Sequence, residues 1–120
     1  MERVSRLNHS LDIQRVRRHG KSIAHPLFVL MYLRDAGSDQ TPIGVIASKA
    51  VGGAVERNRA KRILRSAASA LHEQMMPGTM ILLLARKPIL EHDAPEITEI
   101  LAEQLKKAGI YQGKPQEQLP

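Results

Sequence analysis

The chain has 120 residues, which is enough for one domain and hardly enough for two. It has no cysteine, so disulfides and thiolate metal sites are excluded, and its longest apolar run, residues 80–85, is far too short to span a bilayer. The net charge is +6, with 13 Lys and Arg against 5 Asp and Glu in residues 1–65 and 5 against 7 in residues 66–120. Together with the lack of an N-terminal apolar stretch of signal-peptide length, the short apolar run predicts a cytoplasmic protein without membrane association. The one-sided charge predicts an anionic partner, most simply a nucleic acid.

The first half of the chain predicts one helix followed by two strands. Asn8 or Ser10 can cap a helix that runs to about His19, where a glycine follows. The apolar residues 27–33 and 43–47 each predict a strand, because a polar stretch bounds each of them. The loop between these two strands suits a hairpin.

The second half predicts a long helix, a strand and a last helix. The pair Gly52-Gly53 breaks the pattern before a helix over about 54–75, and residues 80–85 form the third apolar strand. Asp93 and Pro95 are typical of a helix cap and first turn. The last helix presents one apolar face, made of Ile97, Ile100, Leu101, Leu105 and Ala108.

This order of elements predicts an α/β (α+β) two-layer sandwich with a small mixed sheet. The strand–helix–strand unit makes strands 43–47 and 80–85 parallel, and the first helix covers the second sheet face only in part. We expect one domain over residues 1–109. Residues 110–120 are rich in Gln, Pro and Gly and predict a flexible tail.

The helix predicted at residues 54–75 carries positive charge on one side only. On a helical wheel the apolar stripe consists of Ala60, Ile63, Leu64, Ala67 and Leu71. The opposite side carries Asn58, Lys61, Arg62 and Arg65, and the flanks carry Arg57 and Arg59. Such like charges repel one another unless a polyanion neutralises them, and arginine grips phosphate oxygens in pairs. An ordinary solvated face is the alternative, but those faces usually alternate in sign, so we favour nucleic-acid binding.

The glycine pair allows two interpretations. The free N–H groups of a helix N-terminus can bind a phosphate. Alternatively, Gly52 and Gly53 merely permit a sharp turn from strand to helix, and this simpler interpretation is favoured for the glycines alone. The segment is not a Walker loop, because the Gly-Lys-Ser/Thr ending is missing.

Residues 52–62, Gly-Gly-Ala-Val-Glu-Arg-Asn-Arg-Ala-Lys-Arg, resemble the Arg-Asn-Arg signature helix of the bacterial ribonuclease P protein family. Supporting matches are Arg6-Leu7 with Asp12, Val16 and Gly20, then Phe28-Val29-Leu30, then Gly44-Val45 with Ser48-Lys49, and Ala85-Arg86-Lys87-Pro88. The resemblance covers roughly residues 5–110 and implies the α/β sandwich of a ribosomal-protein domain.

The resemblance implies the protein subunit of a ribonucleoprotein endonuclease that removes the 5′ leader from precursor tRNA. It assigns binding of the catalytic ribonuclease P RNA to Lys49, Gly52, Gly53, Arg57, Asn58, Arg59, Lys61, Arg62 and Arg65. It assigns a leader-binding cleft, between the first helix and the sheet, to Ile13, Val16, Arg17, Phe28 and Tyr32. Phosphodiester hydrolysis rests with the RNA and with Mg²⁺ that the RNA mainly binds, so the protein needs no catalytic residue, no metal ligand and no obligate protein partner.

The chain departs from the family pattern at a few positions. Ile13 and Arg17 stand where the family often has aromatic residues that stack on leader bases, so apolar packing and charge replace stacking there. Gly53 stands where Asn is common, and Ala50 where a second Lys is common. For Phe28 and Tyr32, core packing is an equally weighted alternative.

Two other functions remain open at this point. One is a ribosomal or RNA-assembly protein without a role in cleavage. The other is a regulator that reads DNA with the basic helix, although no second helix at helix-turn-helix spacing precedes it. The five histidines show no compact metal-ligand spacing, and no nucleophile-elbow motif is present.

Overall fold

A computed structural model describes residues 10–34 and 39–112. The helices and strands follow in the order α1 (Ser10–His19), β1 (Lys21–Ala24), β2 (Phe28–Arg34), β3 (Ile43–Ile46), α2 (Ala54–Leu71), β4 (Thr79–Ala85) and α3 (Ala94–Ala108). Two short 3-10 segments, His72–Gln74 and Lys87–Glu91, flank β4. The predicted cap Asn8, the motif Arg6-Leu7, loop residues 35–38 and tail residues 113–120 lie outside the described residues.

The four strands form one mixed sheet in the order β1-β2-β4-β3. β3 and β4 are parallel, with Ile46 opposite Leu84, which confirms the predicted crossover. The predicted hairpin between residues 27–33 and 43–47 is wrong, because β4 lies between β2 and β3. β4 is apolar on both faces and therefore takes a central position, whereas the four-residue β3 takes an edge.

The true hairpin partner of β2 is β1, which the sequence pattern did not reveal. β1 is short, and only Ile23 in it is a large apolar residue, so it has no clear alternation. Gly20 makes this arrangement possible: a Cβ there would lie 2.5 Å from the carbonyl oxygens of Val16 and Tyr32. The chain can therefore pass from α1 into β1 close against the β2 backbone.

The main core lies between one face of the sheet and the helices α2 and α3. Strand side chains that enter this core are Phe28, Leu30, Ile81 and Leu83. The helices contribute Ala60, Leu64, Ala67, Leu71, Ile97, Leu101 and Leu105. α1 packs on the opposite face, where Val16 meets Met80 and Leu82. The fold class is the predicted one, and α1 covers its face only in part.

The last helix begins as the sequence predicts, and a glycine ends it. Asp93 accepts a hydrogen bond from the backbone N–H of Glu96, and the Glu96 side chain accepts one from the N–H of Asp93, at 3.1 Å each. Gly109 adopts a left-handed conformation, φ 78°, and the N–H of Ile110 donates to the carbonyl of Leu105.

The predicted tail does not start at residue 110. Ile110 is buried, because an apolar residue after the helix-ending glycine can pack back onto the helix. Tyr111 pairs with Met75 in a β-bridge, and the N–H of Gln112 donates to the carbonyl of Gln74. The packed domain therefore includes residues 110–112.

We predict that Leu64→Ala lowers the free energy of unfolding by about 2–5 kcal/mol, because Leu64 is fully buried between α2 and the sheet. Ile63→Ala should cost clearly less, because Ile63 is only half-buried at the margin of the same core. Urea denaturation of the two variants measures both values. Equal losses would contradict the described rotation of α2 about its axis.

A pH prediction concerns His25, whose ring stacks on Phe28 and whose Nδ1 accepts a hydrogen bond from the N–H of Leu27 at 3.1 Å. Burial lowers the pKa of His25 below 6.5, and the positive charges of Lys107 and His92 lower it further. The unfolded chain therefore binds this proton more readily, and the folded state loses stability as the pH falls from 6.5 through the lowered pKa.

His25→Asn keeps a side-chain acceptor and removes the titrating ring. We expect a smaller decrease in unfolding free energy between about pH 7.5 and pH 5 in this variant than in the unmodified chain. Urea unfolding at both pH values tests this. An unchanged decrease would show that other groups account for the pH dependence.

Candidate nucleic-acid interface

The rotation of α2 about its own axis determines which of its side chains face outward. Ala60, Leu64, Ala67 and Leu71 are buried, as the helical wheel predicts, and Ala68 is buried beside them. The exposed side chains on the predicted polar side and flank are Asn58, Arg59, Arg62 and Arg65. Arg57 and Lys61 are half-buried at the border of the core. The six predicted RNA-binding residues of α2 thus surround the outward side of one helix.

The positive charges of α2 are not neutralised within the part of the chain that the structure describes. Glu56 is the one acid in the helix, and the ion pairs among the described residues join Arg15 to Asp12 and His92 to Glu96 instead. Like charges three and four residues apart repel one another, so the cations on this face destabilise the helix when no anion is bound. A polyanion would supply the missing charge.

Two of the arginines donate to backbone carbonyls of other segments. Arg57 lies over the glycine turn, with its Nη1 at 3.5 Å from the carbonyl oxygen of Gly52. Arg59 donates through Nη2 to the carbonyl of Leu90 at 2.9 Å. Arg62 and Arg65 have no hydrogen bond or ion pair to any described side chain or backbone group outside the helix. Their guanidinium donors are therefore available to a ligand.

The parallel pairing of β3 and β4 brings two more groups of cations to the same edge of the sheet. Lys49 follows β3 in a turn closed by hydrogen bonds from Val51 to Ser48 and from Gly52 to Lys49. Arg86 and Lys87 follow β4 and are exposed. The sequence motif contained Arg86 and Lys87, but only the strand pairing shows that they leave the sheet beside the start of α2.

The glycine turn has different requirements at its two positions. Gly52 has φ +149°, and a Cβ there would lie 2.8 Å from Cβ of Glu56. Gly53 is the N-cap in an extended conformation that any residue adopts, φ −78° and ψ −169°. The simpler interpretation, a sharp turn, therefore holds for Gly52. Glu56 already places a carboxylate in the first turn of α2, where a phosphate would meet its negative charge.

The opposite sheet face is apolar and only partly covered by α1. Ile13 and Val16 lie on it as predicted, and Arg17 is exposed on α1. Half-buried strand residues on this face are Met31, Leu33, Ile46 and Leu84. The structure describes no aromatic side chain among these residues, so an extended ligand would contact aliphatic and thioether groups.

Phe28 and Tyr32 were assigned to this cleft, and the structure contradicts that assignment. Phe28 is fully buried in the main core, and Tyr32 packs against the same core beneath α2 and α3. Alternate residues of a strand point to opposite faces, so the cleft side of β2 consists of Met31 and Leu33 instead. Because β2 is apolar at nearly every position, its sequence alone does not distinguish the two faces.

Comparison with known proteins agrees with this geometry. A family model described as Ribonuclease P matches residues 1–109. The chain belongs to the ribonuclease P protein family. One similar member is the ribonuclease P protein component of Listeria welshimeri, which is 36% identical over 115 residues that cover 96% of this chain and 97% of the relative. Another is that of Staphylococcus carnosus, which is 34% identical over 111 residues that cover 92% of this chain and 96% of the relative.

Solved ribonuclease P proteins share the fold. The protein from Staphylococcus aureus superposes with a TM-score of 0.77 at 28% identity and covers 91% of this chain and 99% of its own. The protein from Thermotoga maritima gives 0.75 at 26% identity, with 86% and 96% covered. The predicted family and fold class are therefore confirmed.

Neither a membrane span nor a metal cluster is found in the described part of this ribonuclease P family chain. No helix there is long and apolar enough to cross a bilayer. No three His, Asp or Glu residues within 10–34 and 39–112 come together in a group that could hold a metal ion. The predicted cytoplasmic location and the predicted Mg²⁺ of the RNA remain predictions.

For the glycine turn we predict that Gly52→Ala costs about 1–3 kcal/mol of unfolding free energy, because φ is positive and Cβ meets Glu56. Gly53→Ser is the matched control. Its backbone suits any residue, and a serine at an N-cap adds a side-chain acceptor for the first turn. It should therefore be neutral or slightly stabilising in thermal unfolding. A Gly53→Ser loss as large as that of Gly52→Ala would refute the described turn.

Proposed function

We propose that this ribonuclease P family chain binds a catalytic RNA through α2 and assists that RNA in removing the 5′ leader of precursor tRNA. The observation that carries the proposal is the face of α2, where the exposed Arg62 and Arg65 have no partner among the described residues. Guanidinium groups that form no ion pair with a described residue and that lie on a rigid helix can bind the phosphates of a folded RNA, which are arranged at fixed spacing. Membership in the ribonuclease P protein family supports ribonuclease P RNA as the RNA that the chain binds.

In this proposal the chain contributes charge and shape rather than a reacting group. Cations on α2 reduce the repulsion between two RNA molecules that must approach closely, the catalytic RNA and the precursor tRNA. Mg²⁺ ions held by the RNA would activate the attacking water and stabilise the charge on the phosphate.

The proposed leader site is the partly covered apolar face between α1 and the sheet. Ile13, Met31 and Leu33 would contact the bases of a single strand, and Arg17 would contact its phosphates. Without aromatic rings, the contribution of stacking, typically about 1–3 kcal/mol per base, is reduced. The chain would therefore hold a leader mainly through its backbone charge and through aliphatic contacts.

The test is reconstitution with a bacterial ribonuclease P RNA at low Mg²⁺ concentration. We expect the chain to increase the cleavage of precursor tRNA over that by the RNA alone. Binding without any increase in cleavage would instead support an RNA-assembly protein. Preference for duplex DNA over the structured RNA in competition would support a DNA-binding regulator.

A charge-matched pair of double variants locates the interface. Arg62→Gln with Arg65→Gln should reduce the slope of log affinity against log salt by about 2, because each phosphate contact contributes about 1. Lys106→Gln with Lys107→Gln removes the same charge from exposed positions at the end of α3 and should leave the slope unchanged. Equal effects of both pairs would mean that RNA responds to net charge and not to the face of α2.

A further inference from the structure

The link between Arg59 and Leu90 is a contact within the chain that joins the basic helix α2 to a segment far along the sequence. Arg59 Nη2 donates to the Leu90 carbonyl at 2.9 Å and joins residues that are 31 positions apart. The guanidinium has five N–H donors in a rigid fork, so one can hold this carbonyl while others remain exposed. Arg59 therefore belongs to two surfaces at once.

The segment that Arg59 holds, Lys87–Glu91, connects β4 to α3. Ile89 is fully buried and fixes its middle to the core. The N–H of Ile89 donates to the carbonyl of Arg86, and the N–H of His92 donates to the carbonyl of Ile89, so each end is a single tight turn. Such short 3-10 turns have poor hydrogen-bond geometry and gain order from an outside contact.

This segment carries cations beside those of α2. Arg86 and Lys87 are exposed and leave the sheet at the edge where β3 leads into the glycine turn and α2. The carbonyl of Leu90 is the point where α2 holds the segment by a side chain. The N–H of Arg86 donates to the carbonyl of Leu27 and holds the start of the segment, so Arg59 adds a restraint at its other end.

We propose that Arg59 is a positioning residue, which holds the Lys87–Glu91 segment against α2 so that Arg86, Lys87 and the α2 cations meet RNA as one surface. The inference rests on the proposed function, since it concerns how the same interface is assembled. A lysine at position 59 keeps the charge but presents a point charge in place of the fork. Loss of the link would leave the segment held only by Ile89 and by the backbone bond of Arg86, so that Lys87 would be less well ordered.

The first experiment uses the free chain without RNA. Arg59→Lys should increase hydrogen exchange at the amides of Ile89 and His92 by about tenfold through easier local opening. Arg62→Lys is the matched control, because it makes the same chemical change at an exposed arginine of the same helix and should leave these amides unchanged. Unchanged exchange in Arg59→Lys would overturn the inference.

The second experiment measures binding to a bacterial ribonuclease P RNA. Arg59→Lys should lower the affinity about tenfold more than Arg62→Lys does, because RNA binding must then order a segment that the unmodified chain already holds in place. Combined with Lys87→Gln, its loss should be smaller than the sum of the single losses, because both changes remove the same ordered cation. Strictly additive losses, or equal effects of the two lysine variants, would make Arg59 an ordinary phosphate contact.

The outcomes separate the inference from the function on which it rests. If the unmodified chain fails to bind the RNA, the proposed function is wrong and the interface role of Arg59 is overturned with it. If the unmodified chain binds and Arg59→Lys behaves like Arg62→Lys, only the positioning role is wrong. Urea unfolding of each variant confirms that the fold is retained.

Discussion

The packing of the aliphatic stripe of α2 against the sheet is the contact on which the rest of the interface depends. Ala60, Leu64 and Ala67 are fully buried, and small residues among them allow the helix to lie close to the strands. Burial of this stripe fixes the rotation of the helix, because a turn of one residue would expose Leu64 and bury a guanidinium. The outward direction of Arg62 and Arg65 is thus a consequence of core packing.

The sheet topology extends that constraint from one helix to a whole edge of the domain. Because β3 and β4 are parallel, the segments that follow them leave the sheet at the same end. Lys49 follows one strand, and Arg86 and Lys87 follow the other. The chain thereby gathers cations from residues 49–65 and from residues 86–87 at one edge. The C-terminal half of the chain, with a slight excess of acids, supplies the core partner α3 and two of these cations.

The two sheet faces have separate roles, and strand alternation assigns each residue to one of them. Phe28 and Leu30 enter the core with α2 and α3, while Met31 and Leu33 face α1. The first face is closed by two helices and stabilises the fold. The second is closed by one short helix and leaves apolar side chains half-exposed, which is the usual condition of a binding surface.

Local patterns of the sequence were sufficient to predict the helices, the basic face of α2, the cap at Asp93 and the protein family. Each of these depends on residues within a few turns of one another, where the helical period and capping chemistry act directly. An apolar residue directly after a helix-ending glycine, as Ile110 is after Gly109, is a local signal of the same kind. The glutamine-rich composition of the tail obscured it.

Only the tertiary structure decided the strand order, the face to which each β2 residue points, and the link between Arg59 and Leu90. Because β2 is apolar at nearly every position, its odd or its even residues could equally well face the main core. The strand β1 is too polar and too short for its sequence to indicate which strand it pairs with. These features depend on contacts between residues far apart in the chain. The strand order and the strand faces are stabilised by shared burial, which no short stretch of sequence contains by itself. The Arg59 link is an exposed hydrogen bond between residues 31 positions apart.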